Sequence, residues 1–127
     1  MLIRPFRLVR NAAMHIDSYK FGKIVIDGTA YNSDCLILGD SVHAHWRRKQ
    51  GHLLTVEDIE SIIAARPSAL VVGCGASGMM KISQDIGQVL HEHGIELFTA
   101  NTNKAVTRFN KLAEKGENVA AALHLTC

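Results

Sequence analysis

The stretch Ala69-Leu70-Val71-Val72-Gly73-Cys74-Gly75-Ala76-Ser77-Gly78 decides how this chain is read. A short unbroken apolar run that stops in glycines has the pattern of a strand buried on both faces, as in parallel sheets flanked by helices. The glycines spell G-x-G-x-x-G; lacking Cβ, they let the backbone take positive φ and approach another group closely. A dinucleotide site would open directly into a helix facing the pyrophosphate, with an acidic residue roughly 20 positions later for the ribose. Here Met79-Met80-Lys81-Ile82 separate Gly78 from the first helix cap, Ser83, and the next strand ends Phe98-Thr99-Ala100-Asn101 without a carboxylate. The expectation is therefore a tight strand-exit turn needed for packing, with no cofactor, NAD and NADP included. A looser ligand reading stays open, in which Gly73, Cys74, Gly75, Ser77 and Gly78 with Lys81 hold a small anion on backbone amides.

Working outward, the two halves of the chain have different grammars. Downstream, Ser83 caps a helix to about His93 with Gly94 as its stop, Ile95 to Phe98 reads as a strand, and Asn101 or Thr102 opens a helix ending near Gly116. Val106, Phe109, Leu112 and Ala113 share one face of that helix, and Val119 to Leu125 closes as a strand. Immediately upstream, Thr55-Val56-Glu57-Asp58 offers an N-cap and an acidic N3 residue, with Ile59, Ile62 and Ile63 at helical spacing until Pro67. Further upstream, Lys23 to Ile26 runs through Asp27-Gly28 into Thr29 to Tyr31, a strong signal for a type I′ hairpin. Cys35 to Leu38 reads as another strand, ending at Gly39-Asp40. An antiparallel first half followed by alternating helices and strands implies one α/β domain over residues 1–127 with a mixed central sheet.

The length of 127 residues suits a single core, and 47% hydrophobic with 20% charged residues is the composition of a folded domain. A net charge of +2 is too small to imply nucleic acid or a membrane surface as partner. Its distribution is uneven: residues 1–50 hold eight Lys/Arg against four Asp/Glu, residues 51–127 six against eight. Arginines and a proline interrupt Met1 to Arg10, leaving no secretory core; this stretch reads as a frayed terminus or a first strand. No run is long enough to cross a membrane as a helix, and the expected location is cytoplasmic. The three cysteines, Cys35, Cys74 and Cys127, are odd in number and lack C-x-x-C spacing, so they read as reduced thiols.

Taken in order, several segments resemble the adipogenesis-associated, Mth-like domain family. They are Tyr19 to Ile24, Trp46-Arg47-Arg48, Gly51-His52 before a short acidic helix, Val72 to Gly75, Ala105 to Asn110, and Val119 to Cys127 with its closing His-Leu-Thr-Cys. The resemblance covers nearly the whole chain and implies a three-layer α/β fold around a mixed sheet. It carries no agreed catalytic residues, and one relative is a mitochondrial respiratory complex I assembly factor, which implies an interaction role.

Four further features are weighed for chemistry. His43 and His45, spaced i, i+2, would share a face if extended, with His52 as a third ligand, but no Cys, Asp or Glu is spaced to join them, so no metal is expected. Trp46, Arg47, Arg48 and His52 form a basic aromatic loop that would suit an acidic protein partner, although a solvated loop with Trp46 as a packing anchor is the simpler reading; only three consecutive basic residues make nucleic acid a poor fit. Cys74 would be a nucleophile only if its thiol were activated, with His52 or His124 as base, and a buried inert thiol is the simpler reading. Met79-Met80 fill gaps or offer an adaptable contact surface. The sequence thus points to a non-catalytic interaction or assembly module, with an enzyme or small-anion binder beside the glycine turn as the alternative.

Overall fold

The computed structural model describes residues 14–127; the reading of Met1 to Arg10 lies outside the described residues. A five-stranded mixed sheet forms the centre, in the order β5 (Ser41–Ala44), β4 (Cys35–Leu38), β10 (Val119–His124), β7 (Ala69–Cys74), β9 (Glu96–Ala100). β10, β7 and β9 run parallel, and β4 and β5 add antiparallel neighbours. β1 (Ile16–Lys20), β2 (Lys23–Ile26) and β3 (Thr29–Tyr31) make a separate antiparallel sheet. Three helices complete the described fold: α1 (Glu60–Ala65), entered through a 3-10 turn at Val56–Ile59, α2 (Asp85–Glu92) and α3 (Thr102–Glu114).

Every residue of β7 and β10 is buried, as an unbroken apolar run between two layers requires. Alternation then sorts their side chains. Val71, Ala121 and Leu123 join Ile24, Ile26 and α3 residues Ala105, Phe109 and Ala113 on one side. Leu70, Val72, Ala120 and Ala122 join Ile59, Ile62, Ile86 and Leu90 on the other. The molecule is therefore three layers thick with two apolar seams, and each fully buried Ile or Leu stabilises it by about 1.5–3 kcal/mol.

Local chemistry sets the boundaries. Asp27 and Gly28 take φ of 47° and 80°, the left-handed pair that a type I′ turn demands. Asn101 caps α3 by accepting from the Lys104 amide at 3.0 Å. At residue 55 the expected helix starts differently. The Asp58 carboxylate accepts from both the amide and the hydroxyl of Thr55, at 2.8 and 2.9 Å, as the expected capping box, but the first turn, Val56–Ile59, is 3-10 rather than α. Four strands escape the sequence reading. Ser41–Ala44 is an edge strand paired with β4 across the Gly39-Asp40 turn, β1 precedes the hairpin, and β6 (Leu53–Leu54) pairs in parallel with β8 (Lys81–Ile82). Two-residue strands and a polar edge strand carry too little apolar periodicity to be seen in one sequence.

The glycine turn after β7 now has a steric reason. A Cβ on Gly75, whose φ is +101°, would lie 2.5 Å from the Cys127 carbonyl oxygen, whereas one on Gly78 would meet nothing nearer than Asn101 Cβ at 4.0 Å. Gly75→Ala should therefore lower unfolding free energy in urea by about 3 kcal/mol, the scale of overpacking plus backbone strain. Gly78→Ala, which suffers only the strain of φ +69°, should lose about 1 kcal/mol. Equal losses would show that the close approach of the chain's end is not what selects glycine at position 75.

Candidate functional site

Loops at the carboxyl ends of parallel strands are the usual ligand positions in α/β sheets. In the parallel β7 to β10 ladder Gly73 lies opposite Leu123 and Cys74 opposite His124, so the glycine turn and the segment after β10 leave the sheet side by side. Pairing of β6 with β8 brings the Trp46 to His52 loop to the same end, where the Lys81 amide donates to the His52 carbonyl at 2.8 Å.

The turn is closed by its own chain. Gly75 donates its amide to Thr102 Oγ1 at 2.9 Å, and Ala76 and Met79 donate theirs to the carbonyls of Thr126 and Cys127 at 2.7 and 3.0 Å. The Gly78 amide returns to the Gly75 carbonyl at 3.1 Å. Of the amides read as an anion cradle, those of Gly75, Ala76 and Gly78 are thus engaged by protein oxygens, and backbone fills the space over Gly75. Gly73, Cys74 and Gly75 are buried, while Ser77, Gly78 and Lys81 reach the surface. The following helix, α2, is displaced from the turn by β8 and does not open from it as in a dinucleotide fold, and the helix N-terminus that does meet the turn, Thr102 of α3, is bonded to Gly75 itself.

Within the basic aromatic loop, alternate side chains go opposite ways. Arg47 and His52 are exposed. Trp46 instead packs inward, its indole Nε1 donating to the Asp58 carbonyl at 3.1 Å and its ring lying 4.7 Å from the Arg48 guanidinium carbon. The Arg48 side chain is 5% exposed and donates through Nη2 to Asp34 Oδ2 at 2.9 Å and through Nε to the Gly51 carbonyl at 3.0 Å. Two of the four residues read as partner contacts therefore act beneath the surface.

Asp34, which the sequence reading passes over, is the hub. Its Oδ1 accepts the Leu125 amide at 2.8 Å, its Oδ2 accepts Arg48 and lies 2.8 Å from His124 Nδ1, and its backbone carbonyl takes the Trp46 amide at 3.0 Å. The carboxylate fixes the tautomer: Nδ1 of His124 donates to Asp34, so the 3.2 Å approach of Arg48 Nη2 to that nitrogen is a contact between two donors. Its only sequence signal was an acid placed directly before an apolar strand, at Ser33-Asp34-Cys35. Arg48 Nη1 and His124 Nε2 are buried and lack partners among the described residues.

The His52 ring stands edge-on to His124 with centroids 5.8 Å apart, and Cys127 Sγ lies 3.6 Å from His52 Nε2. These three converge with the Asp34 hub. Cys74 is beside them on β7, but burial pushes its thiol up, the direction opposite to activation. His43 sits on β5 and His45 leaves it with φ +59°, which breaks the alternation that would have aligned them. Among the described residues no three His, Cys, Asp or Glu side chains come together as a metal site.

Two outcomes follow from this burial. Asp34→Ala leaves a buried guanidinium uncompensated and should cost about 3–5 kcal/mol of stability, whereas Arg47→Glu should stay within about 0.5 kcal/mol; similar melting temperatures for the two variants would show that the hub carries no load. Burial also pushes the Cys35 thiol up to about 12 from 9.0. Because the folded state holds that proton where the unfolded chain releases it, the contribution is full below pH about 9 and is lost as pH rises toward about 12. Iodoacetamide at pH about 8 should accordingly alkylate Cys127 in native protein and all three cysteines only in denaturant, as read by mass spectrometry.

The profile of the family described as protein of unknown function (DUF498/DUF598) matches residues 16–124. Among solved structures, MT938 is 25% identical, with 91% of this chain and 100% of that one covered and a TM-score of 0.77. A conserved hypothetical protein from Pyrococcus horikoshii OT3 is 23% identical over 88% of this chain and 98% of its own, with a TM-score of 0.73. A Mth938-like domain from Bordetella pertussis shares the fold at 15% identity, 98% and 91% coverage and a TM-score of 0.63. The match runs from β1 to the last residue of β10, and the chain belongs to the DUF498/DUF598 family, with the Mth-like α/β fold that its motifs resemble.

Proposed function

We propose that the protein is a non-catalytic interaction or assembly module working in the cytoplasm, and that its contact surface is the strand-end face around Leu125 to Cys127. One observation carries this reading. The large hydrophobic side chains exposed among the described residues are Phe21, at 63%, and Met79, at 52%, and both belong to turns tied to that same segment. Gly22, next to Phe21, donates its amide to the Leu125 carbonyl at 2.9 Å, and the Met79 amide donates to Cys127 at 3.0 Å. Aromatic and methionine side chains are enriched in the cores of protein interfaces, with polar groups around them. Exposed Arg47, His52, Ser77 and Lys81, from the loops at this end of the sheet, supply polar groups for such a rim, and Trp46 and Arg48 anchor the loop that carries Arg47 and His52 from beneath. No helix of the described residues is long and apolar enough to cross a membrane.

The rival reading, an enzyme or small-anion binder at this end of the sheet, is favoured by the unpartnered Arg48 Nη1 and His124 Nε2. Against it stand the engaged amides of Gly75, Ala76 and Gly78 and the raised Cys74 thiol.

Photo-crosslinking separates the two. Benzoylphenylalanine in place of Phe21 or of Met79 should capture one and the same cellular protein, while the same probe in place of exposed Glu60 on α1 should not. Adducts formed equally from position 60, or none from either test position, would overturn the interaction surface. A small anion that raises the melting temperature, with the rise abolished by His52→Ala, would make the rival the better account.

A further inference from the structure

A second feature lies on a different part of the molecule and shares no residue with the strand-end face. Lys104, Arg108 and Lys111 on α3 and Lys115 at its C-cap recur at intervals of four, three and four, which places them on one side of the helix. With Phe98 of β9 they line an open groove of about 580 Å³. The stripe holds four of the six Lys/Arg of residues 51–127, although that half of the chain carries more acids than bases. None of the four has an ion-pair partner among the described residues. Glu114, the one carboxylate on α3, is outside the groove lining, and residues 1–13 contain Arg4, Arg7 and Arg10 but no acid that could neutralise it. Beside the groove, β9 ends the sheet order, so among the described residues nothing pairs with its outer edge.

We infer that this groove docks an acidic, extended protein segment, which adds to the β9 edge and lays its carboxylates along the α3 cations. The spacings agree. Steps of three and four residues on a helix separate the cations by about 4.5 and 6 Å along its axis, and alternate side chains of an extended strand recur every 6.5–7 Å or so. An unpaired edge supplies backbone donors and acceptors for strand addition, and alternate side chains supply the specificity. Single-stranded nucleic acid fits less well, because it is held by bases stacking on open aromatic faces. Phe98 is the aromatic of the groove, and the Arg108 guanidinium carbon already covers it, 4.4 Å from the ring centroid. The groove cations thereby give the interaction module a partner chemistry that the strand-end face does not define.

Fluorescence anisotropy tests the inference with three probes: a labelled peptide of about twelve residues alternating Glu with Thr, its Lys-Thr counterpart, and a thymidine oligonucleotide. The Glu-Thr peptide should bind, and the Lys-Thr peptide should not. Affinity should fall about tenfold in the Arg108→Glu, Lys111→Glu variant and again as salt rises from about 50 to about 200 mM. N-methylation of alternate peptide amides should weaken it too, because strand addition needs those donors. The distant pair Lys20→Glu, Lys23→Glu should leave it unchanged, and both double variants should keep the parent melting temperature, since all four side chains are exposed. Binding lost equally in the two variants, indifferent to N-methylation, or matched by the oligonucleotide would overturn the proposal, as would no binding at all. The Phe21 and Met79 crosslinks are unaffected by any of these outcomes.

Discussion

The hydroxyl of Thr102 holds together the three segments on which the rest of the structure depends. It accepts the Gly75 amide at 2.9 Å and donates to the His124 carbonyl at 2.6 Å, while the Thr102 amide returns to the Gly75 carbonyl at 3.0 Å. The first residue of α3 is thereby fixed against the ends of both central parallel strands, in a fully buried position where an unpaired polar group would be expensive. A Cβ on Gly73 would stand 2.8 Å from this oxygen. The glycine-rich turn is thus shaped by what the protein presses against it.

Asp34 does the corresponding work one layer out. A single carboxylate orders the entry to β4, the Arg48 loop and the exit of β10, and in doing so neutralises a guanidinium that would otherwise be stranded. Buried pairs of this kind add little net energy relative to apolar substitutes, but losing either partner is severe. Their value here is positional, because the same bonds present Arg47 and His52 outward and keep Trp46 and Arg48 inside. Asp34 supports the strand-end face, the packing of Phe109 and Ala113 sets which side of α3 turns outward, and Thr102, as the first residue of α3, ties the two together.

The sequence by itself determined the elements whose causes are local. An apolar run between Pro67-Ser68 and the glycine turn gave β7, Asp27-Gly28 gave the hairpin, and Asn101 and Gly116 bounded α3, because turn conformations and caps are set by a few neighbouring residues. It also favoured a packing turn over a nucleotide loop, on the missing helix and carboxylate. Tertiary structure alone decided which side chains face out. Arg47 and Arg48 are equivalent in sequence, yet a partner 14 residues upstream of Arg48 takes its charge inward, and contact between residues 34, 48 and 124 leaves no periodic trace along the chain. Likewise the α3 cations were legible as charges, but their lack of ion-pair partners among the described residues, and the unpaired β9 edge beside them, exist only once the strands are ordered across the sheet.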